Sequence, residues 1–377
     1  MTPAIGQRIV AVDVFRGLTI AGMILVNNPG SWARIYPPLR HARWHGWTPT
    51  DLVFPFFLFI VGVAIVLGLS RRVAGGAPRG ALIAKITRRA AILFATGVFM
   101  AGFPFVDWES FAEGISKIRI PGVLQRIALC YLIVSAMFLF LPRRSLGWIC
   151  AGCLLVYWGL MTLVSVPDHD GAYGVDHRDA NLAAWLDRLL LDGHLWRQRA
   201  FDPEGVLSTI PAVATTLFGV FTGKLLLVQD RPTKDKVCDL LINGALLVVA
   251  GYVWSWFFPI NKSLWTSSYA VFTAGQAMCG LALCLWLVDV KGWRRPAQPF
   301  VVYGVNALTV FVMSGLIAKC LSRVKIDGFS VKTHIYDNVF ASWLADYPAS
   351  LAYALAWVSG WYLVLWLMYR RGWILRV

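Results

Sequence analysis

Charge is scarce in this sequence, and acidic charge scarcest: Asp, Glu, Lys and Arg make up 15% of 377 residues, with 20 acids among them. A soluble domain keeps about a quarter of its residues charged, so this deficit excludes an ordinary water-soluble fold. No hydrophilic stretch is long enough to build a second domain, which leaves a single domain over residues 1–377. A glycine-rich phosphate loop is missing, as is any convincing zinc spacing, so neither a phosphate cradle nor a metal centre has a motif to rest on. No internal repeat is visible, which counts against a transporter assembled from inverted repeats. The 7 cysteines are odd in number and lie in or beside apolar segments. Cys150-x-x-Cys153 has a redox spacing but no second pair, and reads as packing.

Apolar length is what the chain has in abundance. Hydrophobic residues make up 58% of it and the mean hydropathy is +0.62. They cluster into windows long enough to cross a hydrocarbon core of about 30 Å. The spans expected are Ile9–Val26, Leu52–Leu69, Ala90–Phe105, Pro121–Leu141, Leu146–Val166, Val206–Val228, Val237–Phe258, Ser267–Val290, Phe300–Cys320 and Ser350–Tyr369. The fold class is therefore all-α: a polytopic membrane bundle of about ten helices. Arginine and lysine mark alternate loops, among them Arg71, Arg72, Arg88, Arg143, Arg231, Lys291, Arg294 and Arg370. The positive-inside bias puts these loops and both termini in the cytoplasm. The loop at about 167–204, rich in aspartate, then lies outside. Within it, Asn181–Leu191 is amphipathic at helical spacing, as expected of a short interfacial helix.

The net charge of +15 invites a nucleic-acid partner. Retention of basic loops during membrane insertion explains it better, and the partner expected is the lipid bilayer. The apolar run after Ile9 contains Asp13 and Arg16 and no small-residue cleavage site follows, unlike a cleavable signal peptide.

A few polar residues interrupt this apolar background. Asp13 and Arg16 are three apart on one helix face; they form a buried ion pair or mark a functional centre. The first helix ends in Val26-Asn27-Asn28-Pro29-Gly30, where Asn27 is either a helix cap or a hydrogen-bond donor to a reaction centre. The loop that follows carries His41, Trp44 and His45 among aromatics, then a Thr50/Asp51 pair suited to cap the next helix. A histidine sheltered at the membrane boundary can take a proton near neutral pH. Gln125 and Arg126 sit just inside the fourth span, with Arg126 expected to meet either a cofactor diphosphate or a carboxylate such as Asp13. Asp202 and Glu204 precede the sixth span as a sugar-binding pair or an acidic helix start. Asn261, Lys262, Trp265 and Ser268 gather before the eighth, where an aromatic beside polar groups suits a sugar. His169, His177 and His194 read as solvated loop residues.

Several of these segments recur as an ordered series. Asp13-x-x-Arg16-Gly17, Val26-Asn27, His41-Ala42-x-Trp44-x-Gly46 and Asp51-Leu52-Val53-Phe54-Pro55 come first. Arg119-Ile120-Pro121-Gly122-Val123-Leu124-Gln125-Arg126 and Phe201-Asp202-Pro203-Glu204-Gly205 follow, then Pro259-Ile260-Asn261-Lys262-x-Leu264-Trp265-x-x-Ser268-Tyr269 and Asp289-Val290-Lys291-Gly292. The set resembles the heparan-α-glucosaminide N-acetyltransferase family, including its bacterial NagX-like members, over nearly the whole chain. The likeness is to the membrane core; the separate lumenal domain of the animal enzymes has no counterpart.

The resemblance implies transmembrane acetylation in the inner membrane of a bacterium. Acetyl-CoA comes from the cytosol as co-substrate, with no metal, and an amino sugar is acetylated on the far side. It also implies that His41 is the catalytic base and Asn27 its neighbour at the active centre. An inner-membrane amino-sugar transporter is the alternative, since intramembrane charge suits a transport path as well. The acceptor sugar, a direct transfer against an acetyl-His41 intermediate, and a monomer against a homo-oligomer stay open.

Overall fold

The computed structural model describes residues 9–105, 114, 117–167, 174–198 and 200–375. His169 lies outside them. The described chain is almost wholly helical. Helix α1 runs over Val10–Asn27 and α2 over Val53–Ala74, entered through a 3-10 turn at Pro49–Leu52. Then come α3 (Arg79–Gly102), α4 (Val123–Phe140), α5 (Ser145–Leu163), α6 (Leu182–Leu191), α7 (Thr209–Leu227) and α8 (Thr233–Trp254). Helix α9 (Ser267–Cys284) continues as a π-helix to Val290. The last part holds α10 (Arg294–Val305), α11 (Ala307–Arg323), the two-residue strands β1 (Lys325–Ile326) and β2 (Phe329–Ser330), α12 (Val331–Ile335) and α13 (Asp346–Arg370).

Among the described residues, 8 helices are long and apolar enough to cross a membrane, and 9 spans result if the bent pair α10–α11 counts as one. The expected span within α3 is the difference. Its 24 residues are long enough, but Arg79, Lys85, Arg88 and Arg89 occupy its first half. Burial runs opposite to a soluble bundle. Only 22% of the apolar window of α8 and 17% of that of α13 is covered by protein, leaving Ile242, Leu246, Val249, Leu363 and Leu367 exposed. Rows of exposed leucine and isoleucine are stable only against lipid.

The centre is built from α2, α4, α7 and α9, whose buried faces share one apolar cluster including Leu58, Ile127, Leu217 and Phe272. Small residues let the backbones close up. A methyl group at Gly62 of α2 would lie 2.0 Å from the Thr216 carbonyl oxygen of α7. One at Gly17 of α1 would lie 1.7 Å from that of Phe300 in α10. Helices α10 and α11 meet at 71° at Asn306, whose buried carboxamide donates to the Trp373 carbonyl at 3.0 Å and accepts from Leu375 N–H at 3.1 Å.

One end of the bundle carries Arg71 and Arg72 in the last turn of α2, Arg143 between α4 and α5, and Arg231 between α7 and α8. The other gathers the loops that hold Asn27, His41, Glu204 and Lys262. The amphipathic segment is α6, with Asn181 as its N-cap accepting from Ala184 N–H at 2.9 Å. It buries Ala183, Ala184 and Asp187 and exposes Leu189 and Leu190.

Candidate active site

The loop between α1 and α2 is folded by one carboxylate. Asp51, 1% exposed, takes His41 Nδ1 at 2.6 Å on Oδ1. On Oδ2 it takes the backbone N–H groups of Ala42 and Thr48, each at 3.0 Å, and the Thr48 hydroxyl at 3.1 Å. The helix start is thus Thr48 with Asp51 three residues on, a capping box. The expected Thr50/Asp51 cap is corrected: Thr50 donates instead to the Pro38 carbonyl at 3.1 Å. Tyr269 on α9 donates to the Asp51 carbonyl at 2.5 Å and fixes the loop to the bundle.

A carboxylate at 2.6 Å from an imidazole nitrogen requires a proton between them. His41 therefore carries its proton on Nδ1 and presents Nε2 as the lone pair. Lys262 lies over this ring, its Nζ 3.1 Å from Nδ1, 3.2 Å from Nε2 and 3.8 Å from Asp51 Oδ1. Burial pulls the Lys262 ammonium below the usual lysine range, and the negative charges of Asp51 and Glu204 oppose that pull. His41 itself is about half exposed (49%), while Lys262 is at 21%. The arrangement is a carboxylate, an imidazole and a cation in sequence, with the imidazole at the open end.

Asn261 brings Lys262 to this place. Its side chain, fully buried, accepts from Leu264 N–H at 3.0 Å and donates toward His45 Nδ1 at 3.4 Å, and Gly46 N–H bonds the Ile260 carbonyl at 2.8 Å. The loop after α8 is thereby joined to the histidine loop. His45 turns its other nitrogen to Asp176 at 2.8 Å, and Trp44 donates to the Val175 carbonyl at 2.9 Å under the Arg178 guanidinium.

The remaining expected site residues fall elsewhere. Trp265 and Ser268 are enclosed, at 1% and 0% exposure, so a sugar-facing role gives way to packing. Trp265 donates to Thr215 at 3.1 Å and lies against Phe54, while Ser268 donates to the Phe258 carbonyl at 2.5 Å. Arg126, 1% exposed, meets neither Asp13 nor open space. It donates to the carbonyls of Pro203 and Gly205 and to Ser208, at 3.1, 2.9 and 2.5 Å, and its guanidinium lies over Trp265. Glu204 is committed to Arg119, which also grips Asp202 through two bonds, at 2.8 and 2.5 Å. Burial works against the charge of Arg119, but the bond to Asp202 and the charge of Glu204 hold it above the ordinary arginine range. Beneath this clasp Asp187 accepts from Val206 N–H at 2.9 Å, and burial pushes its carboxyl up to about 6. Gln125 is buried against Gly97 and Gly122. Asp13 and Arg16 do pair, at 3.3 Å, and Arg16 also donates to the Gly304 carbonyl at 3.2 Å.

Asn27 is not a cap: Asn28 fills that place, donating to the Ile24 carbonyl at 2.8 Å. Asn27 instead lines a cavity of about 580 Å³ together with Phe103, Ser314, Lys319, Arg323 and Lys332. Among the described residues its carboxamide makes no hydrogen bond. His41 is not in that lining, so the two belong to separate groups at one end of the bundle. Below the cavity an apolar seam shares Met23 and Phe311 with it and passes between Ile20, Phe57 and Leu124. Asp51 is the residue that reading the chain left out of the site; its signal was an acid at the third position of a helix start, ten residues after a histidine.

A family model described as "Heparan-alpha-glucosaminide N-acetyltransferase, catalytic" matches residues 8–251. The human heparan-alpha-glucosaminide N-acetyltransferase is 30% identical over 98% of this chain and 60% of its own length. The mouse protein of the same name is 29% identical over 89% of this chain and 58% of its own. This chain thus spans about three-fifths of the length of these relatives. The chain belongs to the heparan-alpha-glucosaminide N-acetyltransferase catalytic family.

Proposed function

We propose that this protein is a transmembrane N-acetyltransferase that moves the acetyl group of acetyl-CoA to the amine of a glucosamine-type sugar. The observation that carries the reading is the 2.6 Å bond from His41 Nδ1 to Asp51, whose other oxygen is held by three further donors. This fixes the imidazole in the tautomer a general base needs.

In the transfer, the acceptor nitrogen bonds to the thioester carbonyl carbon and the carbon–sulfur bond breaks. The proton that the nitrogen loses goes to His41 Nε2 and from there to the departing sulfur. Lys262 stands over the ring face, equally near both nitrogens, and leaves the in-plane Nε2 lone pair to the acceptor amine. Its ammonium is placed to face the carbonyl oxygen on which charge develops, the role of an oxyanion donor. Asn27, whose carboxamide faces the cavity and makes no hydrogen bond among the described residues, binds the acceptor.

The arrangement also fits a route across the bilayer. The polyanionic nucleotide of the co-substrate suits the arginine-rich end, in the cytosol on the positive-inside rule. Its acyl arm must part the apolar seam below the cavity to reach the opposite end, where the amino sugar arrives. The setting we infer is the inner membrane of a bacterium.

Purified protein incubated with labelled acetyl-CoA and glucosamine should yield N-acetylated sugar by mass analysis. Sugar uptake without coenzyme A release would establish a transporter instead.

A further inference from the structure

The group around His41 contains a primary amine of its own. Lys262 Nζ lies 3.1 Å from His41 Nδ1 and 3.2 Å from Nε2, and it is the same kind of nucleophile as the amine of a sugar acceptor. The backbone sets its position. Lys262 opens a turn in which its carbonyl accepts from Trp265 N–H at 3.1 Å, and the Asn261 carbonyl accepts from Thr266 N–H at 3.1 Å. Asn261 N–H donates in return to the Thr266 hydroxyl at 3.0 Å. Trp265 and Thr266 are both buried, so the turn is anchored in the bundle. An intramolecular nucleophile held in this way reacts as if present at very high concentration.

Two opposed effects govern its charge. Burial favours the free amine, the form that attacks a carbonyl. Asp51, 3.8 Å away, and Glu204 favour the ammonium, the form that stabilises an oxyanion. The balance lies below the usual lysine range, so Lys262 has access to both forms. Occupancy then decides which amine reacts. An acceptor bound between His41 and the thioester stands between Lys262 and the carbonyl carbon. Without an acceptor, the Lys262 amine is the nucleophile beside the base.

We infer that Lys262 is a self-acetylation site, which takes the acetyl group of acetyl-CoA when no acceptor sugar is bound. The inference rests on the acetyltransferase reading and concerns the same centre. The Lys262 nitrogen bonds to the thioester carbonyl carbon and the carbon–sulfur bond breaks. The flexible four-carbon arm carries Nζ from the face of the imidazole to its edge. The proton that the nitrogen sheds goes to His41 Nε2 and from there to the departing sulfur. The products are an amide on Lys262 and the free coenzyme A thiol. That amide is stable and uncharged, so the cation facing the reacting carbonyl is lost and the modified chain is silenced. Self-acetylation thereby stops the centre from consuming acetyl-CoA when there is no sugar to receive it.

The full chain in nanodiscs is incubated with labelled acetyl-CoA alone, digested, and its acetylated lysines are followed in time by tandem mass spectrometry. Lys325, exposed on β1, reports uncatalysed acetylation in the same sample. Lys262 should gain label about tenfold or more faster than Lys325, with matching release of coenzyme A thiol. Excess glucosamine should slow the labelling of Lys262 about tenfold or more and leave Lys325 unchanged. His41→Ala should bring Lys262 down to the rate of Lys325. Labelling of Lys262 no faster than Lys325, or unaffected by His41→Ala in a variant that melts as wild type, would overturn the inference. If that variant does not fold, protection of the wild-type chain by glucosamine decides the matter: none would overturn the inference. Acetylated glucosamine without label on Lys262 defeats self-acetylation and leaves the acetyltransferase reading standing. Fast, His41-dependent label on Lys262 without acetylated glucosamine does the reverse.

Discussion

Asp51→Asn isolates the role of the carboxylate with little change in shape. Oδ2 of Asp51 receives three donors, from Ala42, Thr48 N–H and Thr48 Oγ1, while Oδ1 receives one, from His41. An asparagine will place its oxygen where three donors point and its NH₂ where His41 stands. That NH₂ can only donate, so His41 Nδ1 must accept, and the ring proton moves to Nε2. The lone pair that takes the acceptor's proton is then gone although every heavy atom is in place. Positioned general-base catalysis contributes about 10²–10⁴-fold, so kcat should drop by that factor, equivalent to roughly 3–5 kcal/mol in the barrier. The fold should lose far less, since one charge-assisted hydrogen bond is replaced; about 1.5–3 kcal/mol is the expected scale. The assay is coenzyme A thiol release with glucosamine as acceptor, resolved into kcat and KM, beside a melting curve. A kcat within about threefold of wild type in a folded variant would refute the tautomer argument, because no other group replaces that function.

Other perturbations test separate parts of the structure. His41→Ala should reduce acetyl transfer by about two orders of magnitude or more, with His45→Ala, on the neighbouring Asp176 contact, far milder in the same turnover assay. Lys262→Met should lower kcat by about 10- to 100-fold if the ammonium stabilises developing charge, and unchanged turnover would remove it from the mechanism. Arg119→Gln leaves Asp202 and Glu204 buried without their cation, so melting should fall by an amount equivalent to about 3–5 kcal/mol. Asp187, at about 6 when folded against about 3.9 unfolded, binds its proton more tightly in the native state. Its contribution to stability is therefore present at low pH and is lost as pH rises between about 4 and 6. Relative to wild type, Asp187→Asn should flatten the decline in melting temperature over that interval.

Much of the architecture was legible in the chain because hydrocarbon leaves few choices. A segment such as Val53–Ser70 without a charge can only be a helix across the bilayer, since every backbone polar group must be satisfied within it. Helix α6 was equally readable from the spacing of Leu182, Trp185, Leu186 and Leu189. The spans blurred where those rules weaken. Helix α3 mixes four basic residues into its first half, and α10–α11 bends at Asn306 because a tail residue some seventy positions later supplies the partner for its carboxamide.

Residue type and order alone determined the fold class and the alternation of basic and acidic loops. They also pointed to an ion pair between Asp13 and Arg16, because positions three apart on a helix must adjoin. Which polar groups face a ligand and which face each other was decided only in three dimensions. Asp51 became the partner of His41 when the 3-10 turn ahead of α2 folded back on its own loop. Lys262 joined them through pairing of Gly46 with the loop after α8, a contact more than 200 residues apart in sequence. Arg126, Glu204, Trp265 and Ser268 were claimed by packing for the same reason: a buried polar group must find a partner, and the nearest one is set by how helices stack.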